Sequence, residues 1–145
     1  MQEIVIKQLT PADYERIIEL WERAGLPAKP RGRDSYRELI KQMEKNPKFF
    51  WGAEIEGRLV GVIIASSDGR KGHLNRIAVQ ARYRGQGIAK RLTLAAEDAL
   101  RQEGIKVITL LVERDNIPSI QLAHKLGYVQ HPDIIYFSKR DSEED

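Results

Sequence analysis

Three strand-like segments follow one another between Phe49 and Val79 with no helix between them, and a glycine-rich turn and a long helix come directly after. Phe49 to Ile55, Leu59 to Ser67 and His73 to Val79 carry the apolar and β-branched residues of strands, and Glu56-Gly57-Arg58 has the acidic-then-glycine form of a hairpin turn. Ser66 to Gly72 supplies a second polar turn. Strands joined so closely pair antiparallel, because a parallel neighbour needs a long crossover. The order predicts a meander rather than βαβ units, and it argues against a doubly wound sheet.

The flanking segments read as α/β (α+β) elements around that meander. Glu3 to Gln8 alternates as a short strand. Thr10-Pro11-Ala12-Asp13 forms a helix start, and Tyr14, Ile17, Ile18, Trp21 and Ala24 make a core-facing stripe that Gly25 ends. Leu26 to Arg33 is a loop with two prolines and three cations, Lys29, Arg31 and Arg33. Ser35-Tyr36-Arg37-Glu38 starts a second helix with Tyr36, Leu39, Ile40 and Met43 on one face, and Asn46-Pro47 stops it. After the glycine turn, Ile88, Leu92, Ala95, Ala96, Ala99 and Leu100 recur at helical spacing up to Gly104. Ile105 to Val112 is almost wholly apolar, as a central strand covered on both faces would be. Asn116 with Pro118 caps a last helix ending at Gly127, and Ile134 to Ser138 reads as a closing strand.

A chain of 145 residues fits one domain, here 1–140, with the acidic stretch Asp141 to Asp145 as a disordered tail. There are no cysteines, which excludes disulfides, thiolate metal sites and cysteine nucleophiles. Met1-Gln2-Glu3-Ile4 lacks the start of a secretory signal, and the longest apolar run, Leu59 to Ala65, is too short to span a bilayer, so a soluble cytoplasmic protein is expected. The three histidines, His73, His124 and His131, are dispersed and make no metal set.

Arg82-Tyr83-Arg84-Gly85-Gln86-Gly87-Ile88-Ala89 joins the third meander strand to the long helix. Glycines allow a sharp turn close to a ligand. The first N–H groups of a helix lack internal partners and sit at the positive end of the macrodipole, so they favour phosphate. Arg82, Arg84, Lys90 and Arg91 add positive charge, and arginine meets phosphate in bidentate fashion. A dinucleotide fingerprint fails because Lys90 stands where its third glycine belongs and the first glycine lies six residues beyond Val79. A Walker A loop fails because no Gly-Lys-Ser/Thr occurs.

The whole order, with Arg82-x-x-Gly85-x-Gly87 at its centre and Asn116-x-x-x-x-x-Leu122-x-x-Lys125-x-Gly127-Tyr128 downstream, resembles the GCN5-related N-acetyltransferase (GNAT) family over nearly the full chain. The resemblance implies a mixed, mostly antiparallel sheet of six to seven strands with about four helices. It implies that the Gln/Arg-x-x-Gly-x-Gly/Ala turn, here Arg82, Arg84, Gly85, Gln86, Gly87, Ile88 and Ala89, binds the pyrophosphate of acetyl-coenzyme A. It further implies that Ile77, Ala78 and Val79 pair with the pantetheine arm, that Asn116 borders the cofactor, and that the fourth and fifth strands splay to leave N–H groups facing the thioester. No metal is implied.

Two catalytic positions of relatives are absent. The tyrosine acid falls at Ala123, and the fifth-strand carboxylate falls at Leu111. A thiol of pKa about 8.5 leaves tolerably without an acid, whereas an alkylamine of pKa about 10.4 must lose a proton before it attacks. Glu113, two residues beyond Leu111, is the candidate base, with an ion pair to Arg114 or a nearby lysine as the competing use. His73, sharing a face with Asn75 and Ile77, is a candidate proton relay, and a plain hydrogen bond is the competing use. The expected activity is acetyl transfer to a primary amine of a small molecule or peptide, in a monomer or homodimer, with no membrane and no nucleic-acid partner. The basic loop hints at an acceptor with a carboxylate or phosphate. A coenzyme A sensing module with little turnover is the alternative. An RNA-binding role ranks last, since no aromatics interleave with the basic cluster.

Overall fold

The computed structural model describes residues 3–26 and 28–143. Met1, Gln2, Pro27, Glu144 and Asp145, on which parts of the expected leader, loop and tail readings fall, lie outside the described residues. The strands are β1 (Ile4–Gln8), β2 (Phe50–Ile55), β3 (Arg58–Ser67), β4 (Lys71–Val79) and β5 (Val107–Leu110). The helices are α1 (Tyr14–Arg23), α2 (Tyr36–Lys45), α3 (Ile88–Gln102) and α4 (Ile117–Lys125). One sheet runs in the order β1-β2-β3-β4-β5. Its first four strands pair antiparallel, and β5 joins β4 parallel.

Local chemistry sets the joints. Thr10 N donates to Asp13 Oδ2 at 2.9 Å, and a short 3-10 turn over Pro11–Asp13 leads into α1. Ser35 Oγ accepts from Glu38 N at the start of α2. Glu56 and Gly57 both have positive φ, 51° and 77°, the pairing that a two-residue hairpin of right-handed twist requires.

The sheet is covered on both faces. Gly61 of β3 faces α3, where an added Cβ would stand 3.0 Å from side-chain atoms of Ile88 and Leu92. Ile64, three residues on and therefore on the opposite face, is the register partner of Arg76, which touches Trp21 of α1. This double cover explains why every residue from Leu59 to Ala65 is buried. β3 is thus the covered central strand, and the expectation for Ile105 to Val112 is corrected: only Val107–Leu110 is strand, it lies at the sheet edge, and Val107 is 49% exposed.

Three further expectations need revision. Among the described residues the sheet has five strands rather than six to seven, and Ile134 to Ser138 forms none. Ile134 N donates to His131 O in a turn, and among the described residues the backbone beyond it meets no ladder partner, which a strand needs. Tyr36 does not join Leu39, Ile40 and Met43 in the core; it is exposed, with its ring set edge-on to Tyr14 at 5.2 Å.

Candidate active site

The site begins with a bulge. On β3 the neighbours Ile64 and Ala65 pair with Arg76 and Leu74, so Asn75 is left over and β4 bends there. β5 pairs only with Lys71, Gly72, His73 and Leu74, short of the bulge. From Asn75 to Val79 the outer edge of β4 therefore has no strand beside it among the described residues. That edge is roughly 16 Å of backbone whose outward N–H and C=O groups, apart from the Val79 carbonyl that Arg84 holds, have no strand to pair with. His73 marks the closed end, with Nδ1 2.6 Å from Thr109 Oγ1 of β5. Ile77, Ala78 and Val79 form the open part, and the last two are buried.

The open edge runs straight into the glycine turn. A 3-10 turn over Ala81–Tyr83 follows β4, Arg84 Nε donates back to Val79 O at 3.1 Å, and Tyr83 is buried beneath. Gly85 and Gly87 take left-handed φ of 83° and 80° with open space around each Cα, so conformation and not crowding demands glycine. Gly87 is the N-cap of α3 and brings no side chain to the first helical N–H groups. Arg82, Gln86, Lys90 and Arg91 stand exposed around these donors, and the Arg82 guanidinium lies over the Tyr83 ring. A pyrophosphate seated on this turn with a thin chain along the β4 edge suits every one of these features.

Across β4 lies the basic loop. Asp34, 5% exposed, accepts from Lys29 N at 2.7 Å and from Arg76 Nη2 at 3.2 Å, while its own carbonyl accepts from Tyr14 Oη at 2.8 Å. Arg76 also stacks over Trp21 at 4.7 Å, and burial lowers its pKa below the ordinary arginine value. The loop is thereby bolted to β4 one residue past the bulge. Trp21 is fully buried, as its stripe predicted. Asp34 and Arg76 escaped the sequence reading because neither sits in a motif; only the fold brings them together over 42 residues.

The remaining candidates scatter. Glu113 is exposed in the loop after β5, beyond the strand on which it was placed; among the described residues its carboxylate makes no ion pair, and its carbonyl accepts from Asn116 N. Asn116 Oδ1 caps α4 through Ser119 N. Leu111 is exposed and Ala123 offers no acid. Tyr128 Oη donates to Glu97 Oε2 of α3 at 2.6 Å, and burial together with that carboxylate pushes its pKa up, so its proton is engaged by α3. His124 and His131 are exposed. No group of three or more metal-ligating side chains occurs among the described residues, nor a helix long and apolar enough to cross a membrane.

The model of the family described as "Acetyltransferase (GNAT) family" matches residues 14–128. The chain belongs to the GNAT family. A relative, the acetyltransferase plu1384 of Photorhabdus laumondii, is 36% identical over 129 residues, covering 88% of this chain and 89% of its own. The PaiA N-acetyltransferase of Thermoplasma acidophilum, solved in complex with coenzyme A, superposes with a TM-score of 0.75 at 26% identity, covering 86% of this chain and 89% of its own. A chain of the NatC complex, solved bound to Gag peptide and CoA, gives 0.74 at 25% identity over 89% and 86%. The GNAT turn pattern fits this sequence in two frames, Arg82-x-x-Gly85-x-Gly87 and Arg84-x-x-Gly87-x-Ala89. The second frame sets its first glycine at the N-cap of α3 and its small residue in the first turn.

Proposed function

We propose that this acetyltransferase moves the acetyl group of acetyl-coenzyme A to the primary amine of a small molecule or peptide. The observation that carries the reading is the continuity of the open β4 edge, Asn75 to Val79, with the uncapped N-terminus of α3 behind Gly85 and Gly87. Coenzyme A supplies the acetyl group as a thioester. The residues of the turn hold its pyrophosphate, and the outward N–H of Ile77 donates to the thioester carbonyl as it gains charge. Most of the rate comes from alignment along this edge.

The acceptor lies between α1, the loop ending at Asp34, and the open edge. Its ammonium must lose a proton, and Glu113 is assigned as base because its carboxylate, in the loop just past β5, makes no ion pair among the described residues. His73, held to Thr109 at the closed end, pins β5 to β4 instead of relaying protons. The thiolate departs without an acid. Lys29, Arg31 and Arg33 favour an acceptor with a carboxylate or phosphate; replacing all three by Ala raises its KM, and an unchanged KM would sink that part.

Calorimetry with acetyl-coenzyme A, followed by thiol release over an amine panel, tests the reading. Glu113→Gln lowers kcat/KM by about a hundredfold at neutral pH, with recovery toward the amine's pKa as free amine accumulates. Binding without turnover on any amine supports the sensing module that Ala123 and Leu111 suggest.

A further inference from the structure

The surplus residue of the bulge points to the face where an acceptor must lie. Gly72 of β4 faces α3, since an added Cβ would stand 2.8 Å from a Leu100 side-chain atom, so His73 faces the other way. Asn75 and Arg76 share that second face. Asn75 Nδ2 donates to Ser66 Oγ at 2.8 Å, Ser66 being two residues past Ile64, and Arg76 meets Asp34 and Trp21. A regular strand does not set consecutive side chains on one face, whereas a bulge does. Ser66, His73, Asn75 and Arg76, with Thr109 of β5 opposite His73, thus form a polar floor beside the loop that ends at Asp34. Asn75 and Thr109 are exposed, and His73 and Ser66 are half-buried.

The floor is neutral where it meets the open edge. Its cation, Arg76, is met by the Asp34 carboxylate, and no carboxylate stands in the floor itself. The Asn75 amide spends an N–H on Ser66, while its Oδ1 accepts from no group among the described residues. Asn75 is the first residue past the last β4–β5 pair and lies two residues before Ile77. We propose that Asn75 is a specificity-determining residue whose Oδ1 accepts from a hydroxyl or an amide N–H next to the acceptor's amine. The proposal rests on the acetyl-transfer reading and narrows its substrate class to amino alcohols and amino amides. A bare alkylamine leaves Oδ1 without its donor, which a site built to hydrogen-bond penalises. A diamine brings a second ammonium to a floor that holds Arg76 and has no carboxylate to pair with it.

NMR on the full chain saturated with coenzyme A reads this without turnover. Ethanolamine and glycinamide, titrated separately, are expected to move the Asn75 side-chain amide resonance saturably, and propylamine is not; the stronger of the two separates hydroxyl from amide. In thiol release from acetyl-coenzyme A, compared at equal free amine, kcat/KM for the better probe exceeds that for propylamine by about tenfold. Asn75→Ala brings that ratio near one, and Asn75→Asp, with a carboxylate in the same place, turns the preference toward ethylenediamine. Coenzyme A binding in calorimetry checks that each variant is folded. An Asn75 resonance that neither probe moves overturns the proposal, even where other amines are acetylated. So does a preference that survives both substitutions. A saturable shift without thiol release supports the assignment of Asn75 and sinks the acetyl-transfer reading instead.

Discussion

Asp34 shows how much one side chain can hold at the residue scale. Removing it as Asp34→Ala takes the carboxylate away from the partly buried Arg76, 15% exposed at its side chain. The expected loss is about 3 kcal/mol in urea unfolding. Arg76→Met in the Asp34→Ala background recovers part of that loss, because an apolar side chain there has no charge to solvate. His73→Gln is milder, about 1 kcal/mol for one hydrogen bond, and leaves the pH–rate profile unmoved; a shifted profile would restore His73 to the chemistry. Residues of this kind were poorly legible in the sequence. Arg82 to Ala89 could be read because a turn's chemistry is local, whereas the Asp34–Arg76 and Tyr128–Glu97 contacts depend on which elements meet.

Individual elements were legible wherever their stabilisation is local. Caps at Thr10 and Ser35, the Glu56-Gly57 turn and the α1 stripe all formed as their spacing implied. The fifth strand formed, but shorter and at the sheet edge, for a matching reason: an apolar run does not say what its neighbours are. Two predictions belong here. Gly87→Val strains a left-handed backbone and adds bulk at the α3 N-cap; calorimetry is expected to show coenzyme A binding weakened tenfold or more with the fold retained. Across β1, β2 and α1, Glu54 pairs with Arg16 and Lys7, and its hydrogen bond to Arg16 is the main cause of a lowered pKa. A lowered carboxyl pKa gives stability that is present above the unfolded value of about 4.3 and lost as pH falls through the folded value. Glu54→Gln should therefore flatten the decline of Tm in that acid window, and an unchanged slope would assign the decline to other carboxylates.

For the whole molecule, ligand and fold are coupled through the sheet. Coenzyme A at a hundred times its Kd is expected to stabilise the protein by about 2.7 kcal/mol, raising Tm by roughly 5–10 °C in a thermal scan. The Gly87→Val chain should show little of that rise. The bulge at Asn75 also carries a meaning for how such a protein arises and fails. Side chains alternate along a strand with a period of two, so one surplus residue resets the alternation for everything after it. A one-codon deletion at Asn75 would realign Arg76 to Val79 with the first half of β4 and remove the bend that parts them from β5. The outcome would be a more regular sheet and a closed groove, so selection for regularity and selection for an accessible thioester pull in opposite directions at a single codon.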